Sequence, residues 1–175
     1  MNWQLWMRWD RIIAEQRWGS ASEVQQDALR YARLTAGAEE QLIQSTRPLL
    51  VAMAQLPEMQ GDDAVECSLL LGRLLKQYPT YTNLGVAEPD GQVFVTALSR
   101  LETHYGDRTW FRQVLETRDF AVSGFLQGRN TGKTVLGMGY PVQDAGGQVR
   151  RVVFAAPDPP SGRLALGAWR RPTTW

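Results

Sequence analysis

The stretch that decides the fold is Leu84-Gly-Val-Ala-Glu-Pro-Asp-Gly-Gln-Val-Phe-Val-Thr-Ala-Leu98. Two short apolar runs, residues 84–87 and 92–98, lie on either side of the sequence Glu88-Pro-Asp-Gly91. Pro, Asp and Gly are residues of tight turns, and β-branched and aromatic residues favour strands. This stretch therefore predicts a β-hairpin.

Three further β-type runs follow the hairpin, after a short helical pattern over residues 108–117 for which Asp107 is the predicted N-cap. The runs cover residues 120–126, 134–142 and 148–156. Turn-like sequences at 128–132 and 144–147 join them. Strands joined by tight turns pair antiparallel, so we expect one five-stranded antiparallel sheet.

The part of the chain before the hairpin predicts helix. Residues 22–56 are rich in Ala, Gln, Glu and Leu, with apolar positions at steps of three and four. Ser22 and Gln25 resemble a capping box, and a kink is expected near Pro48. Residues 64–77 predict a second helix. The fold class is therefore α+β, a long N-terminal helix and further helices covering one sheet.

Composition limits the function classes. The 175 residues are 43% hydrophobic and 21% charged, as in folded globular domains, and the net charge of +1 provides no general attraction for nucleic acid. One cysteine, Cys67, excludes an internal disulfide and a Cys-based zinc site. One histidine, His104, excludes Ser-His-Asp chemistry elsewhere in the chain. No run of 18 apolar residues is present. We expect no cofactor, no metal and no nucleic-acid partner.

Three segments make up the predicted organisation. Residues 1–21 form a Trp-rich N-terminal segment, 22–156 the domain itself (helices over 22–77, sheet over 83–156), and 157–175 an irregular Pro- and Arg-rich tail. The tryptophans of the first segment suit a helix in a membrane interface or a docking helix for a partner about equally.

Six short motifs occur in order through the second half of the chain. They are Pro79-Thr-Tyr-Thr-Asn-Leu84, Asp90-Gly91, Asp107-Arg-Thr-Trp-Phe111, Thr131-Gly-Lys133, Tyr140-Pro-Val142 and Asp144-Ala-Gly-Gly147. With them, the stretch from Leu69 to Ala156 resembles the Cache family of bacterial sensor domains, specifically the PAS-like first module of double-Cache domains. The resemblance implies a PAS-like sheet.

The resemblance also implies a function. Such domains lie on the extracytoplasmic (periplasmic) side of the inner membrane and bind a small molecule for a histidine kinase, a diguanylate cyclase or a chemoreceptor. They are normally flanked by membrane spans, so this chain is either an excised sensor or a free-standing relative. Signalling through the long N-terminal helix, and a homodimer through it, are further expectations.

The segment Asp107–Phe111 is the candidate binding site. A helix N-terminus favours an anion, Arg108 can bind a carboxylate at two points, and Trp110 and Phe111 can form an apolar wall. Additional candidate pocket residues are Tyr81, Ser123, Phe125, Met138 and Tyr140. In amino-acid-sensing relatives the Arg and Trp hold the ligand carboxylate and an Asp on the last strand holds its amine. That position falls on Ala156 here, so we expect a small carboxylate without a required amine.

Other interpretations stay open. Trp110 and Phe111 can equally be plain core residues, and the chain can be a ligand-free dimerisation or interaction module derived from a sensor domain. The sequence Gly128-Arg-Asn-Thr-Gly-Lys-Thr134 resembles a phosphate loop but lacks its first glycine and precedes a strand, which favours a turn. No catalytic residue set is indicated, and we expect a protein that is not an enzyme.

Overall fold

The structure, a computed structural model, describes residues 3–98 and 103–159. Before residue 32, only the side chains of Gln26, Leu29 and Arg30 are described. The predictions for the tail beyond residue 159 and for the tryptophan side chains of residues 1–21 therefore lie outside the described residues. The chain divides into two units, Met1–Ala38 and Glu39–Trp175. Within the described residues, no helix has both the length and the apolar character needed to cross a membrane.

Four helices are described: α1 (Trp3–Ala54), α2 (Pro57–Gln60), α3 (Ala64–Gln77) and α4 (Thr109–Thr117). Helix α3 has the predicted bounds, and the Asp63 side chain accepts hydrogen bonds from the first backbone N–H groups of that helix. The predicted start of the long helix at Ser22 is wrong, because α1 begins at Trp3. The helix continues through Pro48, as predicted. The one-turn helix α2 was not predicted, although a proline suits its first position.

Five strands form one antiparallel sheet, as predicted. They are β1 (Tyr81–Ala87), β2 (Val93–Thr96), β3 (Ala121–Gln127), β4 (Thr134–Gln143) and β5 (Val149–Pro157). Their order across the sheet is β2-β1-β5-β4-β3. Strand β5 therefore lies in the centre and pairs with both β1 and β4. The α+β fold class is confirmed.

The two faces of the sheet are covered by different helices, because successive strand residues point to opposite faces. On one face, here called the α1 face, the C-terminal part of α1 and helices α2 and α3 pack on a core of aliphatic and methionine side chains, including Leu50, Met53, Leu71, Leu84 and Met138. On the other, the α4 face, α4 packs on a smaller core that is mainly aromatic, including Tyr105, Trp110, Phe111 and Phe154.

A buried arginine holds β5 to its surroundings. Arg151 is only 5% exposed, and its Nε donates to Glu88 Oε1 at 3.0 Å. Its other nitrogens donate to Asp62 Oδ1 at 2.7 Å and to the Gly61 carbonyl, and the guanidinium lies 4.0 Å from the centre of the Phe94 ring. The cation is therefore paired and hydrogen-bonded, as a buried charge must be. It joins β5 to the hairpin and to the loop before α3.

Candidate ligand-binding site

Trp110 lies flat on the sheet because two glycines leave space for it. A Cβ atom on Gly137 would be 2.5 Å from the Trp110 Nε1 atom, and one on Gly139 would be 2.7 Å from its Cζ3 atom. The ring also contacts the rings of Tyr105 and Phe154, with centroids 5.6 and 6.3 Å away. Only the glycine pair on β4 lets the indole approach the sheet this closely. The start of α4 is thereby fixed over the sheet.

Arg108 immediately precedes α4 in extended conformation and is only partly buried. Its Nη2 atom donates to the Gln127 carbonyl on β3 at 3.1 Å. Its Nε atom is buried and has no hydrogen-bond partner within the described structure. A buried donor without a partner costs free energy, and a bound acceptor would remove that cost. The first turn of α4 also has no side-chain cap.

Asp107 does not cap α4, so that prediction is wrong. Its two carboxylate oxygens instead accept hydrogen bonds from Arg129, at 2.9 and 2.5 Å, and Arg129 also donates to the His104 carbonyl. The Arg129 guanidinium lowers the pKa of the Asp107 carboxyl below its ordinary value. The Asp107 charge is therefore matched by Arg129, whereas no ion pair to Arg108 is found among the described residues.

A cleft of about 460 Å³ opens beside this helix start. The residues that line it come from the beginning of α4 and from strand β3: Asp107, Arg108, Thr109, Trp110, Val122, Ser123, Gly124, Phe125 and Leu126. A second cavity of about 30 Å³ lies between Trp110 and the sheet and shares Arg108, Trp110 and Leu126 with the cleft. The cleft combines the Arg108 guanidinium, the N–H groups of the first turn of α4 and aromatic side chains, a combination that suits a small anionic molecule. The carboxylate in its lining, that of Asp107, is paired with Arg129.

The structure brings together only half of the eight predicted site residues. Arg108, Trp110, Ser123 and Phe125 line the cleft. Phe111 lies on the same face but is fully buried in the core under α4. Tyr81, Met138 and Tyr140 pack into the core of the α1 face, on the far side of the sheet. These last three lie outside the candidate site.

Ser123 also has a structural role, since it lies where the pairing of β3 and β4 shifts register. Its Oγ accepts a hydrogen bond from the Gly137 N–H at 2.8 Å and donates to the Gly124 carbonyl at 2.6 Å. At this register shift the Ser123 hydroxyl thus takes the place of a backbone carbonyl of β3 as the acceptor for the Gly137 N–H. Phe125, two residues further on, is 53% exposed at the cleft.

Sequence reasoning missed most of the residues that line the inner cavity, among them Tyr105, Leu126 and Arg129. Burial raises the pKa of the Tyr105 hydroxyl, while the charges of Arg108 and Arg129 act in the opposite direction. The sequence signal for Arg129 was its place between Gly128 and Gly132. This stretch is a turn, as predicted, and the ion pair of Arg129 with Asp107 holds it beside α4. Ala156 lines the same cavity.

Solved structures with a similar fold include extracellular and ligand-binding domains of bacterial receptors. One is the extracellular domain of a protein named as a histidine kinase (TM-score 0.64, 17% identity, covering 78% of this chain and 59% of that one). Another is the ligand-binding domain of the Campylobacter jejuni chemoreceptor Tlp3 with 4-methylisoleucine (TM-score 0.59, 13% identity, covering 72% of this chain and 55% of that one). A third is the ligand-binding domain of the Pseudomonas aeruginosa amino-acid chemoreceptor PctC with GABA (TM-score 0.56, 18% identity, covering 71% of this chain and 59% of that one).

These structures share the class of fold that the sequence motifs indicated, a sensor-domain fold. The chain spans less than two thirds of the length of the solved chains that it matches. No family model matches the sequence, and no curated protein matches it at a significant level.

Proposed function

We propose that this chain is the extracytoplasmic ligand-binding domain of a bacterial signal-transduction receptor, and that it is not an enzyme. Its ligand is a small carboxylate held in the cleft between the start of α4 and β3. The receptor is a histidine kinase, diguanylate cyclase or chemoreceptor, and it receives the signal through the long helix α1. Membrane attachment would come from segments flanking this chain.

One observation carries the proposal: Arg108, whose Nε atom is buried without a partner, lines the 460 Å³ cleft beside the uncapped start of α4. A carboxylate in the cleft would accept hydrogen bonds from the Arg108 guanidinium and from the helix N–H groups together. Because Asp107 is already paired with Arg129, it leaves the positive charge of Arg108 to the ligand.

The absence of an acidic side chain at Ala156 supports a ligand without a required amine. Ala156 lines the inner cavity next to Arg108 and Trp110, and its methyl group offers an ammonium group no acceptor. The nearest acidic residue along the chain, Asp158, lines neither cavity. The solved receptors bind GABA and 4-methylisoleucine, which carry both groups. The acidic residue that lines the cleft, Asp107, is already paired with Arg129, which supports a ligand held by its carboxylate.

The test is calorimetric titration with matched pairs of acids, such as L-valine and its des-amino analogue isovalerate. We expect the des-amino acid to bind at least as tightly as the amino acid. Arg108→Ala should weaken binding roughly tenfold to hundredfold, the range for hydrogen bonds to a charged group. Arg112→Ala is the control, because Arg112 is exposed on α4 and lines neither cavity. Equal losses in both variants would remove Arg108 from the site.

A second function, a dimerisation module, is favoured by the surface of α1. Leu29 and Leu34 are 52% and 62% exposed and, with Gln26, Arg30 and Arg33, line a groove on the helix. Exposed apolar side chains that line one groove can pack against a second copy of the helix. Analytical ultracentrifugation of the whole chain tests this. We expect a dimer that Leu29→Glu with Leu34→Glu dissociates, and a wild-type monomer at all concentrations would contradict it.

A further inference from the structure

The cleft beside Arg108 runs along the edge of the sheet. Its lining comes only from the start of α4 and from residues 122–126, with no contribution from β4 or β5. Strand β3 is the last in the order β2-β1-β5-β4-β3, so within the described residues its outer side has no neighbouring strand. An unpaired strand edge presents N–H and C=O groups that can bind another extended chain.

The backbone of β3 faces the same guanidinium that would hold a carboxylate. The Gln127 carbonyl accepts the hydrogen bond from Arg108 Nη2, which places the outer side of β3 next to that side chain. At Gly124 the side-chain direction is open, with no atom within 4 Å of where a Cβ would be. The exposed Phe125 ring lies beside it. Because side chains point to the faces of a sheet, this space lies beside the strand edge and leaves room for the side chains of an added strand.

The inner cavity is too small to hold the remainder of a ligand. Its volume of about 30 Å³ is close to that of one water molecule. A ligand with its carboxylate on Arg108 therefore has its other atoms in the outer cleft, against β3. A molecule whose amide groups are spaced as in a β-strand would form hydrogen bonds with β3 that a simple carboxylic acid cannot form.

We propose that the cleft binds the C-terminal end of an extended peptide. Its terminal carboxylate lies on Arg108 and the first turn of α4, and its backbone pairs with the outer side of β3 as an added strand. This inference rests on the proposed function, because it uses the same carboxylate position. It narrows the ligand class from small carboxylates in general to peptides with a free C-terminus.

The experiment compares N-acetylated tripeptides, N-acetyl-Ala-Ala-X with X as Ala, Val, Leu or Phe, with the matching N-acetyl amino acids by calorimetry on the full chain. We expect the tripeptide to bind about tenfold tighter, the gain from about two ordinary hydrogen bonds. A C-terminal amide in place of the acid should abolish binding. Gly124→Pro should weaken tripeptide binding more than N-acetyl amino acid binding, because it alters the strand edge beside the cleft.

Methylation of the amide nitrogens of the tripeptide is the second measurement, which does not depend on how Gly124→Pro folds. It should remove the tenfold advantage. Equal affinity for the tripeptide and the N-acetyl amino acid overturns the peptide inference and leaves the carboxylate site intact. If neither binds, and isovalerate does not bind either, the proposed function fails as well.

Discussion

The two faces of the sheet differ in how they are filled. The α1 face is a continuous core in which Leu50, Met53, Leu71 and Leu84 are no more than 1% exposed. The α4 face has glycines on β4 under a tryptophan, with a small cavity left beneath the ring and a cleft at its side. Close packing gives one face stability, whereas the gaps on the other give room for a ligand.

The largest expected effect is on the α4 face and concerns stability. Phe111 is fully buried below α4, so Phe111→Ala should lower the free energy of unfolding by about 3–5 kcal/mol. Urea unfolding followed by circular dichroism measures it. Phe111→Leu is the control and should cost clearly less, because it keeps most of the buried volume. If Phe111→Ala costs under about 1 kcal/mol, the side chain is not a core residue.

The next effect separates the two faces. Met138 is fully buried on the α1 face, and Met138→Ala should cost about 2–5 kcal/mol of stability. The affinity of this variant for a carboxylate, measured by calorimetry, should stay within about twofold of wild type, because Met138 lines neither the cleft nor the inner cavity. Phe125→Ala, at the exposed cleft wall, should show the reverse: little loss of stability and weaker binding. If Met138→Ala bound the carboxylate much more weakly than wild type, Met138 would count among the site residues.

A smaller change tests the glycine floor. Gly137→Ala puts a methyl group within 2.5 Å of the indole nitrogen of Trp110, so the ring must move. We expect a cost of about 1–3 kcal/mol and a changed near-ultraviolet circular dichroism spectrum. Gly72→Ala is the matched control: its Cβ meets nothing within 4 Å, and alanine favours the helix by about 0.5–1 kcal/mol. Equal stabilities and equal near-ultraviolet spectra of the two variants would show that the Trp110 ring does not need a glycine at position 137.

The smallest effect is expected at the exposed ion pair of Asp107 with Arg129. Folding lowers the Asp107 pKa below its ordinary value of 3.8, so the pair contributes stability above that pH and loses it as the pH falls through the lower folded value. Asp107→Asn should therefore be slightly less stable than wild type near pH 6, with the difference closing below pH 3.8. Urea unfolding across this range measures it. A difference that is constant with pH would exclude the carboxylate charge as its cause.

The sequence predicted the elements well, because turns and period-two patterns are local. Helix α3 and all five strands agree with the predicted positions to within a few residues. Asp107 shows where local reasoning fails: it has the residue type and position of an N-cap, but Arg129, from the distant β3–β4 turn, binds its carboxylate. A charged partner brought close by tertiary structure competes successfully with the backbone N–H groups.

The site was only half predictable for a related reason. Alternation along β4 predicts that Met138 and Tyr140 share one face, but not which helix covers that face. The informative residues were instead Gly137 and Gly139, whose missing side chains make room for Trp110. A glycine pair in a strand indicates that another group packs closely on the strand. Only the folded structure shows that this group is the Trp110 ring.

The central position of β5 has a consequence for how the chain acquires its structure during synthesis. The β1–β2 and β3–β4 hairpins can form from neighbouring residues, but they become one sheet only when β5, the last described strand to leave the ribosome, inserts between them. Until then β1 and β4 each carry an open flank that invites pairing with foreign chains. Premature termination before Val149 would therefore yield an aggregation-prone fragment instead of a smaller working domain.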